Sequence, residues 1–138
     1  FLCNKPADKS DEDNFVLFRS GLVYALLNTF PYNTAHLMVS PYSHTADLAG
    51  LDPEIGVEMW SLVQRCTSVL KDEYGPDGFN IGLNLGQAGG AGVVDHLHVH
   101  IVPRWLGDTN FMPVLGEAKV LPETLQQTYH RLIPYFNK

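Results

Sequence analysis

The sequence contains little cysteine, little positive charge and no long hydrophobic run. Its two cysteines are too few for a disulfide framework, which favours a reducing compartment. The net charge is −6 and no basic stretch is present, which argues against a protein that coats nucleic acid. No apolar run approaches the roughly 18 residues of a membrane span, and no signal peptide is visible. We therefore expect a cytoplasmic protein without a nucleic-acid or membrane partner.

The rest of the composition is that of a folded protein. Hydrophobic residues make up 45% of the 138 positions and charged residues 17%, a balance typical of globular proteins rather than disordered chains. The chain has no repeats and no low-complexity linkers, and it is long enough to bury a core. The sequence therefore predicts a single domain over residues 1–138.

Half of the six histidines fall within five positions, in the segment D-H-L-H-V-H-I-V-P-R-W (95–105). His96, His98 and His100 alternate with apolar residues. Because successive side chains of a strand point to opposite faces, this pattern predicts three imidazoles on one face, spaced by roughly 6.5–7 Å. The apolar residues between them would face a core.

A row of histidines suits metal binding, proton transfer or covalent chemistry. Three histidines in line on one strand diverge, so they cannot easily all reach one small ion, and we expect no catalytic metal. Cys3 and His44 could join His96 at a structural zinc site, for which a fourth ligand is missing. A neutral imidazole is, in contrast, a good nucleophile toward phosphorus when one ring nitrogen is free and an acceptor holds the other.

A glycine-rich loop precedes the histidine row and reads N-L-G-Q-A-G-G-A-G (Asn84 to Gly92). Such loops offer bare backbone N–H groups of the kind that cradle phosphate. Glycine-rich turns are common, so the loop alone is a weak signal. Beside a histidine row it indicates phosphoryl chemistry.

The remaining patterns predict an α+β fold with an antiparallel sheet. Strands are predicted at Phe15–Arg19, Leu22–Leu27, Ala35–Ser40, Gly78–Leu85 and the histidine segment. The first helix begins with Asp52 as the N-cap and ends at Gly75. It carries Cys66 on its apolar stripe and Trp60 beside that stripe, as extra core or as a subunit contact. A second helix is predicted from Pro122 to about Ile133.

The segment H-L-H-V-H-I-V resembles the signature of the histidine triad (HIT) family, whose members are nucleotide hydrolases and transferases that work through a nucleotidyl-histidine intermediate. The resemblance extends to N-T-F-P-Y-N-T-A-H-L-M-V-S-P (Asn28 to Pro41) and covers nearly the whole chain. The segment from Pro103 to Pro122, with G-F-N-I-G-L-N-L-G, looks like the bacterial diadenosine-tetraphosphate phosphorylase-type members. The resemblance implies a histidine triad fold of about five antiparallel strands with two helices, and a homodimer.

The resemblance also implies residue roles. His98 would be the nucleophile, His96 would hold the loop and strand through hydrogen bonds, and His100 would assist phosphate binding and protonation of the leaving group. The implied substrate-binding residues are Asn28 at the ribose, His36, Asn84, the backbone of Ala91, Gly92 and Val93 at the phosphates, and Trp105 as an aromatic contact. The sequence departs from the family at Ala35, where glycine is usual, and at Gly92 or Val93, where a glutamine or serine is common.

These roles predict phosphorolysis of diadenosine tetraphosphate to ADP and ATP. Three alternatives stay open: hydrolysis that releases AMP, a nucleotide-binding sensor with little turnover, and a structural metal site. In the family a third-position glutamine often marks transferases and a histidine marks hydrolases, so His100 counts somewhat against phosphorolysis. The protein's own groups require no cofactor, and Mg²⁺ stays open as an ion that accompanies a polyphosphate substrate.

Overall fold

The computed structural model describes residues 10–29, 31, 33–91, 96–108 and 123–137. Cys3, Gly92 and Val93 lie outside these residues, so the predictions made for them stay predictions.

Five strands form one antiparallel sheet and two helices pack on it. The strands are β1 (Val16–Arg19), β2 (Val23–Leu27), β3 (Leu37–Pro41), β4 (Gly78–Gly82) and β5 (Val99–Arg104). Their order across the sheet is β1-β2-β3-β5-β4. Helix α1 (Pro53–Tyr74) connects β3 to β4, and helix α2 (Leu125–Phe136) is the last element. The predicted α+β fold is confirmed.

Both helices cover the same face of the sheet. The main core contains apolar residues of α1, α2 and four strands, including Val99 and Ile101 of β5. The opposite face carries a smaller apolar cluster that includes Tyr24 and Met38. His100 pairs with Met38 in the β3–β5 ladder, and directly paired residues share a face of the sheet. His100 therefore lies on the face away from the helices, as the alternation predicts.

Helix α1 begins and ends where the sequence indicates. The Asp52 side chain accepts a hydrogen bond from the Glu54 N–H, and Gly75 ends the helix with a left-handed φ of 58°. Cys66 is fully buried, as predicted from its place on the apolar stripe. Trp60 is 58% exposed, so its interpretation as extra core is wrong. In the described ranges, neither helix is long and apolar enough to cross a membrane.

Several predicted boundaries are wrong. Strand β4 ends at Gly82 instead of Leu85. Helix α2 runs to Phe136 instead of Ile133 and is capped at its start by Thr124. Strand β5 begins only at Val99, so His96 and His98 lie just before the regular ladder instead of inside it.

Candidate functional site

The ring of His98 is held in one tautomer by the backbone. Its Nδ1 lies 3.0 Å from the carbonyl oxygen of His96. Because a carbonyl oxygen only accepts, Nδ1 carries the proton, and the Nε2 of a neutral ring keeps its lone pair. No residue among those the structure describes hydrogen-bonds this Nε2. His98 thus meets the two requirements of an imidazole nucleophile: one nitrogen is held by an acceptor and the other is available.

The rings of His98 and His100 lie closer together than the sequence predicts. The ring centroids of His98 and His100 lie 4.7 Å apart in an edge-to-face arrangement. The predicted spacing of roughly 6.5–7 Å is that of side chains perpendicular to a regular strand. It is wrong here because His98 precedes the ladder and its ring leans toward His100. His96 Nε2 donates instead to the Pro41 carbonyl at 2.8 Å, a contact suited to its predicted role of holding the strand.

The His100 ring forms a hydrogen bond with the ring of His36, which lies directly before β3. His36 Nε2 and His100 Nδ1 are 2.8 Å apart, so one ring donates and the other accepts. Burial and repulsion by His100 lower the pKa of His36 to about 3. Burial, with repulsion by His98, lowers the pKa of His100 to about 4. Both rings are therefore neutral near pH 7. His100 can still donate a hydrogen bond to a phosphoryl oxygen, but it is a poor proton donor to a leaving group.

This pair makes a prediction about stability and pH. The folded pKa values of His36 and His100 lie below the ordinary value of 6.5, so the unfolded chain binds more protons between these values. The free energy of unfolding is therefore expected to fall as the pH drops from about 7 to 5, by at most about 1.4 kcal/mol per pH unit for each proton. Urea unfolding at several pH values checks this, and His100→Gln should make the slope shallower. A flat profile in this window would contradict neutral, buried imidazoles.

Asn28 lies next to His36 in the structure. The backbone N–H of Asn28 donates to the His36 carbonyl at 2.9 Å. Its side-chain amide nitrogen lies 3.5 Å from both ring nitrogens of His36, at the outer limit of a hydrogen bond. Asn28 is therefore placed beside the His36–His100 pair, and its predicted ribose contact stays a prediction.

The glycine-rich loop lies at the end of β4. Gly82, the last residue of β4, pairs with His100, so the chain leaves the sheet toward the loop beside the histidine segment. The Asn84 amide is directed toward the loop itself, 3.4 Å from the Gly90 carbonyl. The N–H of Ala91 donates to the Gly86 carbonyl at 3.1 Å, so in this conformation it is engaged within the loop rather than available to a phosphate.

Trp105 is not part of the histidine cluster. It follows the other end of β5, five residues and roughly 16 Å along the strand from His100. Its backbone N–H donates to Asp108, which also forms a two-point ion pair with Arg104 at 2.8 Å. The same carboxylate accepts from the Asn33 amide at 2.6 Å. Trp105 thus belongs to a turn that is hydrogen-bonded to the β2–β3 loop, at a residue three positions before His36.

Only two of the three candidate ligands for the predicted structural zinc site lie within the described residues. The rings of His44 and His96 lie 5.3 Å apart, and His44 is exposed. Within the described ranges, no group of three or more histidine, cysteine or acidic side chains is arranged to hold a metal ion. The third candidate, Cys3, lies outside these ranges.

Sequence reasoning missed three residues that organise the site. Asn33 and Asp108 join the loop before His36 to the turn after β5. Ser40 is fully buried and donates to the Leu97 carbonyl, between His96 and His98. Nothing in the sequence indicates the roles of Asn33 and Asp108, because each lies in an ordinary turn sequence. The role of Ser40 is weakly indicated, since it stands directly before Pro41, which cannot donate to a sheet ladder.

Comparison with known proteins agrees with this geometry. The family model of the HIT domain matches residues 9–105, more than half of the chain. The chain belongs to the HIT family. Its histidine segment therefore sits in the fold that the resemblance implies.

Individual relatives give a narrower comparison. The chain is 46% identical over 119 residues to "AP-4-A phosphorylase" of Mycobacterium tuberculosis (strain H37Rv), which covers 86% of this chain and 61% of that protein. It is 30% identical over 89 residues to "Bis(5'-adenosyl)-triphosphatase" of Dictyostelium discoideum, covering 64% of this chain and 59% of that protein. The chain thus spans about three fifths of the length of these relatives.

A solved structure shows the same fold. The Zn-bound histidine triad family protein from Mycobacterium smegmatis superposes with a TM-score of 0.78 at 24% identity, over 99% of this chain and 91% of that one. At this identity the likeness concerns the fold alone. It confirms that the five-stranded sheet with two helices is a HIT-type architecture.

Proposed function

We propose that this protein transfers a nucleotidyl group from a dinucleoside polyphosphate through a covalent intermediate on His98, with inorganic phosphate as the acceptor. The single observation that carries the proposal is the His98 ring, whose Nδ1 donates to the His96 carbonyl and whose Nε2 has no partner among the described residues. The similarity to a mycobacterial enzyme named AP-4-A phosphorylase supports the choice of substrate.

The first step forms a bond between His98 Nε2 and the α-phosphorus and breaks the bond from that phosphorus to the bridging oxygen. With diadenosine tetraphosphate the leaving group is ATP, whose polyphosphate oxygen keeps the electron pair of the broken bond. The nucleotidyl-imidazole carries a positive charge, and its Nδ1–H is stabilised by the His96 carbonyl at 3.0 Å. Nucleophilic catalysis divides one difficult displacement into two easier ones.

The second step releases the nucleotide and restores the enzyme. An oxygen of inorganic phosphate attacks the same phosphorus, the phosphorus–nitrogen bond breaks, and its electron pair returns to His98 Nε2, giving ADP. The neutral His36–His100 pair supports both steps as follows. When His36 donates to His100 Nδ1, the Nε2–H of His100 can donate a hydrogen bond to a phosphoryl oxygen as the charge on that oxygen grows.

The identity of the acceptor is tested by product analysis with diadenosine tetraphosphate, with and without inorganic phosphate. ADP and ATP formed only in the presence of phosphate would support phosphorolysis. AMP and ATP formed under both conditions would show that water is the acceptor. Hydrolysis is the second candidate because His100 is the third histidine of the motif and because a relative is named a triphosphatase.

Binding without turnover is the candidate from another class. A protein of this kind would bind the nucleotide with equal affinity in wild type and in His98→Ala, and neither form would release product. Isothermal titration with a non-hydrolysable dinucleoside polyphosphate, together with the product assay, separates this sensor from the enzyme. We propose that no resident cofactor is needed and that Mg²⁺ enters only with the substrate.

We also propose a homodimer that forms through α1 and the edge of β4. Val57 and Trp60 are 71% and 58% exposed on α1, and Ile81 is exposed on β4. Among the described residues, β4 pairs only with β5, so its other edge is open to continue a sheet. The single free thiol described, Cys66, is consistent with a cytoplasmic location.

If the dimer forms through α1, a charged side chain on the exposed face of this helix should disrupt it. Trp60→Glu places a carboxylate in the apolar contact and is expected to convert a dimeric wild type to a monomer, measured by sedimentation equilibrium. Leu106→Glu is the matched control because Leu106 is 89% exposed in the turn after β5. A Trp60→Glu protein that stays dimeric would exclude this face of α1 from the interface.

A further inference from the structure

The β3–β5 ladder stops at a proline, just where the catalytic histidine segment begins. The last ladder pair joins Val39 to Val99, so the next hydrogen-bonded pair would join Pro41 to Leu97. Hydrogen bonds of one strand alternate between its two neighbours. Tyr42 donates to the Leu22 carbonyl beside β2, so Pro41 is directed toward β5. Pro41 has no N–H, and the Leu97 carbonyl therefore loses the donor that a regular ladder would provide.

Other groups form the hydrogen bonds that a regular Pro41–Leu97 pair would have made. The hydroxyl of Ser40 donates to the Leu97 carbonyl at 2.9 Å. The Leu97 N–H donates to the Thr45 carbonyl at 2.8 Å, and the Pro41 carbonyl accepts from His96 Nε2 at 2.8 Å. Ser40 is fully buried and Leu97 is nearly so, which means that water cannot substitute for this hydroxyl. Ser40 is thus the side chain that satisfies a carbonyl orphaned by the proline.

The hydrogen bond from Ser40 fixes the backbone of Leu97, the residue between His96 and His98. Leu97 connects His96, whose carbonyl accepts from His98 Nδ1, to His98 itself. A rotation of the Leu97 peptide would change the distance between that carbonyl and the His98 ring. It would also release the constraint that keeps the proton on Nδ1 and the lone pair on Nε2.

We propose that Ser40 is a positioning residue for the nucleophile: its hydroxyl holds the Leu97 carbonyl and thereby keeps His98 in the reactive tautomer. This inference rests on the proposed function of His98. Ser40 itself touches neither the substrate nor the reacting atoms, so its effect passes through the backbone of Leu97. The effect is expected on kcat and not on substrate affinity, because a ring with the wrong tautomer still occupies the site.

The test compares Ser40→Ala with wild type in steady-state kinetics. We expect kcat to fall between about 10-fold and 100-fold with KM changed less than about twofold, as for a small misplacement of a reacting group. Ser40→Thr keeps the hydroxyl and should restore most of kcat. The matched control is Thr128→Val, which removes another buried hydroxyl that donates to a backbone carbonyl, in α2. It should lower Tm and leave kcat unchanged.

Nitrogen-15 NMR of the histidine rings gives a second readout that does not depend on activity. In wild type His98 should be the Nδ1–H tautomer, and in Ser40→Ala a mixture of both tautomers should appear. If Ser40→Ala and Thr128→Val lower Tm alike and neither changes kcat nor the His98 tautomer, Ser40 is only structural and the proposal is overturned. If wild type has no nucleotidyl transfer but the tautomer still shifts in Ser40→Ala, the proposed function fails and the positioning by Ser40 stands.

Discussion

Replacing His98 with alanine is expected to lower the turnover of a dinucleoside polyphosphate by at least about 10⁴-fold, because no covalent intermediate can then form. Substrate affinity should change little, since the backbone and the other imidazoles remain. Single-turnover product formation and equilibrium binding, measured on the same preparation, check the two parts of this expectation.

The control for this variant is His130→Ala. His130 lies on α2 and its side chain is 62% exposed, with its Nε2 3.2 Å from a carboxylate oxygen of Glu12. Its removal should leave turnover within about twofold of wild type, as is usual for surface substitutions away from a site. Residual turnover of His98→Ala near the wild-type value would exclude His98 as the nucleophile, whatever the control shows.

The second large effect is expected on stability, at Ala35→Val. Ala35 is buried and has a left-handed φ of 62°, directly before His36. A β-branched side chain is strongly disfavoured in this region, and the extra methyl groups would have to enter a packed core. We expect a loss of about 3 kcal/mol in the free energy of unfolding, measured by urea denaturation.

Ala35→Gly is the matched variant at the same position. Glycine removes the left-handed penalty of about 1 kcal/mol, but it also loses a buried methyl group worth about 0.8 kcal/mol and adds freedom to the unfolded chain. The net change is expected to lie within about 1 kcal/mol of wild type. If valine were tolerated as well as glycine, the left-handed conformation before His36 would be absent in solution.

Periodicity and capping residues predict most of this fold. The apolar stripe of α1, with Asp52 at its start and Gly75 at its end, predicts the helix bounds, because each signal acts locally. Alternation in the histidine segment correctly predicts that Val99 and Ile101 face the core. The length of β4 could not be predicted, because its alternation continues past the point where the ladder ends at Gly82.

The site was harder to predict than the fold because its key contacts join distant segments. His36 and His100 are 64 residues apart, and only the sheet register brings their rings within 2.8 Å. The same holds for Asn33 and Asp108, which are 75 residues apart. Local patterns identify which histidines are candidates, but they carry no information on which imidazole accepts a proton and which keeps its lone pair.

Covalent catalysis is tested by intact-protein mass spectrometry on a reaction with diadenosine tetraphosphate, run without inorganic phosphate and quenched rapidly. Catalysis through His98 predicts a species heavier by one adenylyl group, located on His98 by peptide sequencing and absent in His98→Ala. It also predicts that this species disappears on adding inorganic phosphate, with formation of ADP. Steady turnover without any such adduct, or an adduct on another residue, would contradict covalent catalysis by His98.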